Sequence, residues 1–597
     1  MADYDIVIVG AGPVGAILAR VLGSAAVGSE PLRILVLEAG PAVGRTWSDY
    51  QANVDHYLGS SIKVPNAPWV SSAYAPSPDV LDVRPLTPDS IPDDNGYFVQ
   101  YGPLPFESDY VRAQGGTMLH WLATSLRMVP NDFEIRSRYG HGLDWPVSYD
   151  ELQPYYERAE WELGVSANVE DQEYLGITFR DGYHFPMSRI PLSYLDEHVA
   201  GTVDGLTVTL DGEATELLVS STPQARNSTP NPGYRPIGAH GAEHMGLRCE
   251  GNSSCIPICP VQAKYSPLKT WGLVSRHVEV RTQCVVSKVI YAGSAPDAPV
   301  AALEYYSYTD GLPPPATPER VTADIYVLAG NAIENPKLLL ASEPTPNDNI
   351  GRHLMDHPYV LSWALMPENI GAYRGPSSTS GIEVLRDGAF RKDRAAFRME
   401  VVNWGWDFIT NSPFSDLESA VDKGLYGAEL RAEIADRVPR QFRFGFLYEQ
   451  LPDPGNRVFL NNGYVDALGI PRPCIAYDVD DYVRKGMVAS QGLSESLFAA
   501  LGATEYTRYS DSKPGYVTYD GWPFNFVGAG HLAGTHCMGT KRSNSAVDSF
   551  QRSWEHENLY LIGCGSMPTV STSNPSLTMA ALAFRSAEAI LDDLGVR

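Results

Sequence analysis

Two groups of residues, at opposite ends of the chain, have types and spacings suited to chemistry. Near the N-terminus an apolar run (residues 4–9) leads into Gly10, Gly12 and Gly15. A stretch of helical composition (14–22) follows, and a second apolar run (33–37) ends at Glu38. Gly10 permits a tight turn, Gly12 lets backbone approach a pyrophosphate, and Gly15 lets the helix pack close to the strand. The helix then presents unpaired N–H groups and the positive end of its dipole to phosphates. Glu38 lies 38 − 15 = 23 positions after Gly15, the spacing of an acid that accepts ribose hydroxyls. The unit points to a bound dinucleotide and does not separate FAD from NAD. Toward the other end stand His531 and Asn574. A near-neutral imidazole suits removal of a hydroxyl proton, and a carboxamide can hold the same hydroxyl. Asn574 before Pro575 also reads as an ordinary helix start, with Asn as cap and Pro in the first turn.

The C-terminal residues belong to longer motifs. His531-Leu532-Ala533-Gly534-Thr535-His536-Cys537-Met538-Gly539 is followed by Ala546-Val547-Asp548 and by Gly563-Cys564-Gly565-Ser566-Met567-Pro568. Ser573-Asn574-Pro575-Ser576-Leu577-Thr578 then leads into a helix-like run at 579–594. This order resembles the C-terminus of the glucose-methanol-choline (GMC) oxidoreductase family. The glycine turn, the segment 329–339 containing Gly330, and the segment 351–358 add to the likeness, which is weak between 359 and 520. The resemblance implies FAD as cofactor and hydride removal from an alcohol. It makes His531 the base and Asn574 its partner, and leaves His536 as a structural histidine. Gly330, Gly565 and Pro575 fall on the cofactor side.

Residues 112–121 resemble the family's second flavin-contact loop. Arg112, Gly115 and Gly116 would lie against the flavin, and the loop ends in His120-Trp121. The His-Trp ending is similar to the pyranose 2-oxidase branch, where that histidine is tethered to the flavin 8α-methyl. Met118-Leu119 departs from the branch's Ser-Thr, so a covalent His120 bond and simple packing against the ring both stay open. This likeness implies a secondary hydroxyl, C2 or C3, of a pyranose sugar or glycoside as substrate. Dioxygen is the expected electron acceptor. The alternatives are a dehydrogenase passing electrons to a quinone or protein, a flavin-binding protein without catalysis, and, most weakly, an NAD enzyme.

Length and composition bound the rest. At 597 residues the chain needs more than one core. The expected fold class is α/β (α+β two-domain): a Rossmann-like FAD-binding domain (1–131, 240–358, 521–597) and a substrate domain (132–239, 359–520) on a mostly antiparallel sheet flanked by helices. Strands are expected at 396–406, 442–449 and 458–461, with Tyr448, Glu449 and Gln450 as substrate contacts and Trp404 and Trp406 as stacking candidates. A net charge of −26 disfavours nucleic acid as a partner. No run is apolar enough to span a membrane, and the start lacks a basic n-region, so a cytoplasmic location is expected. Oligomeric state stays open. Cys249, Cys255 and Cys259, the last followed by Pro260, invite comparison with iron–sulfur ligation. The spacing is not a recognised one and no CxxC pair completes it, so no metal is expected and the stretch reads as a loop packed beside the cofactor. The odd total of 7 Cys speaks against a disulfide framework.

Overall fold

In this computed structural model residues 2–596 are described, apart from 28, 70, 237, 239–246, 252–253, 343–346, 408–409 and 411. The expected boundary at residue 240 therefore lies outside the described residues.

The first strand, Tyr4–Val9, is the middle of a five-stranded parallel sheet in the order Leu559–Leu561, Ala323–Leu328, Tyr4–Val9, Ile34–Leu37, Glu279–Arg281. These short runs are rich in branched apolar residues because both faces of a parallel sheet are covered. Helix Pro13–Leu22 starts directly after the glycine turn and packs against the C-terminal helix Ser576–Asp593. Gly10 has φ +108, and a Cβ on Gly15 would stand 2.0 Å from the Gly10 carbonyl oxygen, so the strand-to-helix turn closes only without side chains there. Helix Tyr149–Leu163, assigned by sequence to the substrate side, also packs on Ser576–Asp593.

The second large element is an eight-stranded antiparallel sheet. Its path runs Tyr516–Tyr519, Trp522–Gly528, Pro358–Leu365, Gln441–Tyr448, Phe397–Val402, Ser380–Ile382, Val219–Ser221, and Thr504–Glu505 pairs with Pro358–Leu365 off that path. One face buries Phe397, Met399, Val401, Phe442, Phe444 and Phe446 together with Met487, Leu497 and Phe498 of helix Asp481–Ala500. The strand expected to run to 406 stops at Val402, and Gly405, at φ +58, lies just beyond it. Trp522–Gly528, grouped by sequence with the nucleotide fold, is a strand of this sheet. Its end carries the chain straight into the His531 loop.

Candidate active site

A cavity of about 680 Å³ runs between the two sheets, within the range of cofactor and ligand sites. Gly10, Gly12, Pro13 and Glu38 line it from the first turn, Arg112, Gly116 and His120 from the second loop, and Gly330, Cys564, His531, Asn574 and Pro575 from the later segments. Gly12 faces open space, with nothing within 4 Å of where a Cβ would be. Glu38 accepts from the Ala11 and Gly40 amides, at 2.7 and 2.8 Å, one on each carboxylate oxygen. A carboxylate offers about four acceptor positions, so capacity for ribose hydroxyls remains. The Gly115 amide donates to the Ala11 carbonyl, and Gly116 sits with its Cβ position 3.1 Å from Gly12 Cα, so the two glycine loops are pressed together. These features fit a dinucleotide cofactor.

Three of the residues predicted for the cofactor do not line the cavity. Gly15 and Gly115 serve packing and turn geometry. Gly565 lies against the His536 ring, which a Cβ would approach to 2.2 Å. His536 is buried, beside Asn335.

Also on the cavity wall His531 meets Asn574, with 3.3 Å between Asn574 Nδ2 and His531 Nε2. The side chain of Asn574 makes no helix cap. Helix Ser576–Asp593 begins one residue beyond Pro575 with no side-chain cap bond, which leaves the carboxamide for the cavity. Asn574 Oδ1 is buried without a hydrogen-bond partner among the described residues.

Proton positions around His531 follow from its neighbours. His357 Nε2 lies 2.5 Å from the Ser571 carbonyl oxygen. A carbonyl only accepts, so Nε2 carries the proton and, in the neutral ring, Nδ1 does not. His531 Nδ1 lies 2.9 Å from that His357 Nδ1 and must donate to it. The His531 proton is thus on Nδ1, and its Nε2 lone pair faces Asn574. Asp356 Oδ1 accepts from the His531 and His357 amides at 2.9 and 2.6 Å, which fixes both backbones. Burial, followed by the nearby His357 and Arg398, holds the His531 pKa well below 6.5, and burial pushes His357 down to about 4. Both rings are neutral near pH 7, and Nε2 of His531 is poised to accept a proton.

Elsewhere on the wall, Arg112 stands beside Glu334. Burial pushes the Glu334 carboxyl up, but the Arg112 and Lys337 charges outweigh it and hold it at about 2. His120 is buried, with Nδ1 3.0 Å from the Pro65 carbonyl. Lys264 grips the neighbouring backbone, donating to the carbonyls of Leu119, Trp121 and Cys255. It thereby ties the His120 loop to the cysteine segment.

The predicted substrate residues 448–450 point elsewhere. Tyr448 faces the apolar core and bonds Ser490. Glu449 pairs with the fully buried Arg391 and accepts from the Ala396 amide and the Tyr482 hydroxyl. Gln450 accepts from the Asp356 amide and the Tyr477 hydroxyl. Trp406 donates to the Phe442 carbonyl and does not line the cavity, whereas Trp404 does.

Two stretches of the chain, residues 227–359 and 452–583, match the family described as GMC oxidoreductase. The chain is 33% identical to the fructose dehydrogenase large subunit of Gluconobacter japonicus, over 99% of this chain and 98% of that protein. The chain belongs to the GMC oxidoreductase family. It is therefore an oxidoreductase acting on CH–OH donors, in a family whose members generally bind FAD. A C-glycoside 3-oxidase of Arthrobacter globiformis is 23% identical over 99% of this chain and 96% of its own length. The solved pyridoxine 4-oxidase of Mesorbium loti shares the fold, with TM-score 0.57 and 17% identity over 98% of this chain and 99% of that one. Among the described residues, no helix is long and apolar enough to cross a membrane.

The depressed histidine pKa values make a pH prediction. Protonation of Nε2 removes the lone pair, and the folded pKa lies below the ordinary 6.5, so activity is lost only as pH falls well beneath that value. In stopped-flow measurement the rate of cofactor reduction should stay flat from pH 8 to about 6.5. An acid limb centred at or above 6.5 would contradict the proton assignment.

Proposed function

We propose that this enzyme uses FAD to oxidise a secondary hydroxyl, C2 or C3, of a pyranose sugar or glycoside to a ketone. The observation that supports this best is the neutral His531 Nε2 beside the Asn574 amide on the wall of the same cavity that the Gly10–Gly12 turn and Glu38 line. Bound FAD supplies the hydride acceptor. His531 Nε2 takes the hydroxyl proton and Asn574 holds the same oxygen. The charge appearing on His531 is stabilised through His357, whose far nitrogen is anchored on the Ser571 carbonyl. The N-terminus of helix Ser576–Asp593 faces the cavity through Pro575 and Ser576 and favours negative charge there. Segments 1–131, 240–358 and 521–597 would hold the cofactor, while 132–239 and 359–520 form the substrate side, joined there by the strand Trp522–Gly528. The sugar-directed names of the fructose dehydrogenase and the C-glycoside 3-oxidase support the substrate class. His531→Ala should keep bound flavin but slow its reduction by a sugar about 10²–10⁴-fold. Bleaching of that variant at the parent rate would remove His531 from the base role.

His120 would hold the flavin covalently: its Nε2 would replace one hydrogen of the flavin 8α-methyl, and the two electrons and two protons released would pass to the acceptor that reoxidises the flavin in turnover. With Nδ1–H donating to Pro65, the free lone pair is on Nε2; burial and the Lys264 charge push the ring pKa down to about 4, keeping it neutral. After acid precipitation the yellow colour should stay with the protein in the parent and pass to the supernatant in His120→Ala. Colour released from the parent would leave His120 as packing only.

Two electron routes are compatible with this site. Dioxygen is the route of an oxidase, as in the relative named C-glycoside 3-oxidase. The relative at 33% identity is named a dehydrogenase, which favours a second reading with a quinone or protein as acceptor. Cys249, Cys255 and Cys259 bear on that choice, since they are free thiols on the segment tied by Lys264 to the His120 loop. Peroxide yield under air, with iron and zinc measured on the same sample, separates the routes. Stoichiometric peroxide without metal supports the oxidase and a purely structural cysteine loop. Dye reduction without peroxide supports the dehydrogenase, and stoichiometric iron would make the thiols ligands.

A further inference from the structure

The cavity face of the antiparallel sheet carries charge where strands of this composition are otherwise apolar. Along Phe397–Val402 the residues Phe397, Met399 and Val401 enter the core, and Arg398 and Glu400 take the opposite face. Along Gln441–Tyr448 the core takes Phe442, Phe444, Phe446 and Tyr448, and Arg443 and Leu447 take the other side. Glu400 and Arg443 are buried, at 3% and 2% exposure, yet both line the cavity that contains His531 and Asn574. Burying a charge costs free energy unless it is paired or meets a ligand.

Their settings are built. Arg398 bonds one oxygen of Glu400, and is itself held by Glu383 and the Thr222 hydroxyl, each at 3.0 Å. Tyr359 OH donates to the other Glu400 oxygen at 3.1 Å. Tyr359 can reach it because Gly445, directly across the strand pair from Glu400, has no side chain; a Cβ there would stand 2.0 Å from the tyrosine oxygen. Arg443 lies two residues from Gly445 on the same face, and its guanidinium stands 5.3 Å from the ring centre of Trp404, another cavity residue. An acceptor-only carboxylate and a donor-only guanidinium, diagonal neighbours on one face, match two adjacent hydroxyls, one donating and one accepting. Trp404 adds an apolar surface for the carbon skeleton.

We propose that Glu400, Arg443 and Trp404 form the subsite that binds a vicinal diol next to the carbon being oxidised, so that the enzyme selects polyhydroxylated rings over simple secondary alcohols. This rests on the proposed function above and names the residues that carry its substrate class. A monohydric alcohol offers one hydroxyl where the subsite presents an acceptor and a donor, so it forfeits one of the two hydrogen bonds that a diol makes.

The test is anaerobic flavin reduction with D-glucose, D-fructose, methyl β-D-glucopyranoside, trans-cyclohexane-1,2-diol and cyclohexanol. The parent enzyme should favour the cyclic diol over cyclohexanol in kcat/KM by at least about tenfold, a measurement that needs no variant. Glu400→Gln and Arg443→Gln, checked for bound flavin by absorbance, should raise KM for the sugars roughly ten- to hundredfold, a larger effect than on kcat, and shrink the diol preference. Parent enzyme with equal kcat/KM for cyclohexanol and the diol would overturn the subsite. So would flavin-loaded variants with sugar KM within threefold of the parent. A parent flavin bleached by none of the sugars would instead defeat the proposed function and this assignment with it.

Discussion

A backbone carbonyl decides where the protons lie. The Ser571 oxygen can only accept, so it draws the proton of His357 onto the far nitrogen; the near nitrogen then draws the proton of His531, and the last nitrogen in the line keeps its lone pair. Nothing in an imidazole prefers one tautomer strongly enough to fix this by itself. The loop holding Ser571, the turn holding His357 and the loop holding His531 must therefore keep their places together. Asp356 contributes by accepting both histidine amides on one oxygen.

The two sheets make that alignment. The parallel sheet ends its central strand at the glycine turn and brings Leu559–Leu561, and with it the approach to Asn574, alongside Ala323–Leu328. The antiparallel sheet delivers His357 at the head of Pro358–Leu365 and His531 just past Trp522–Gly528, two neighbouring antiparallel strands. Register between those strands sets the distance between the imidazoles. A slip of one residue would turn every side chain to the other face and send Tyr359 into the phenylalanine core.

Much of this was readable in the residues. The glycine turn, its buried parallel strand and Glu38 follow from local composition and spacing, whereas the pairing of His531 with Asn574 and the sheet of the substrate side were implied by the family resemblance. His357 was visible as part of a motif but not as a partner, because its task exists only through contacts with Ser571 and His531, 214 and 174 positions away. Tyr448, Glu449 and Gln450 do not line the cavity, for a geometric reason. Strand periodicity reveals which residues share a face but not which stretch of the strand lies over the cavity, and here that stretch is centred on Arg443 and Leu447, while Glu449 meets Arg391 at the strand's end. The charge at alternate positions of two apolar strands, Glu400 and Arg443, marks the face that lines the cavity. Asn574 looked like a cap because capping and ligand binding favour the same residue type.

The assembly order of the cavity has a consequence for biosynthesis. Gly12 and Asn574 stand 574 − 12 = 562 positions apart, so the two parts of the cavity are synthesised well apart in time. At ribosomal rates of about 5–20 residues per second, roughly 30–110 s separate the two. Until Leu559–Leu561 is made, Ala323–Leu328 is an uncovered edge of the parallel sheet. A cofactor that needs both parts of the cavity can be held only after the Gly10–Gly12 turn, Ala323–Leu328 and the segment carrying Asn574 have come together.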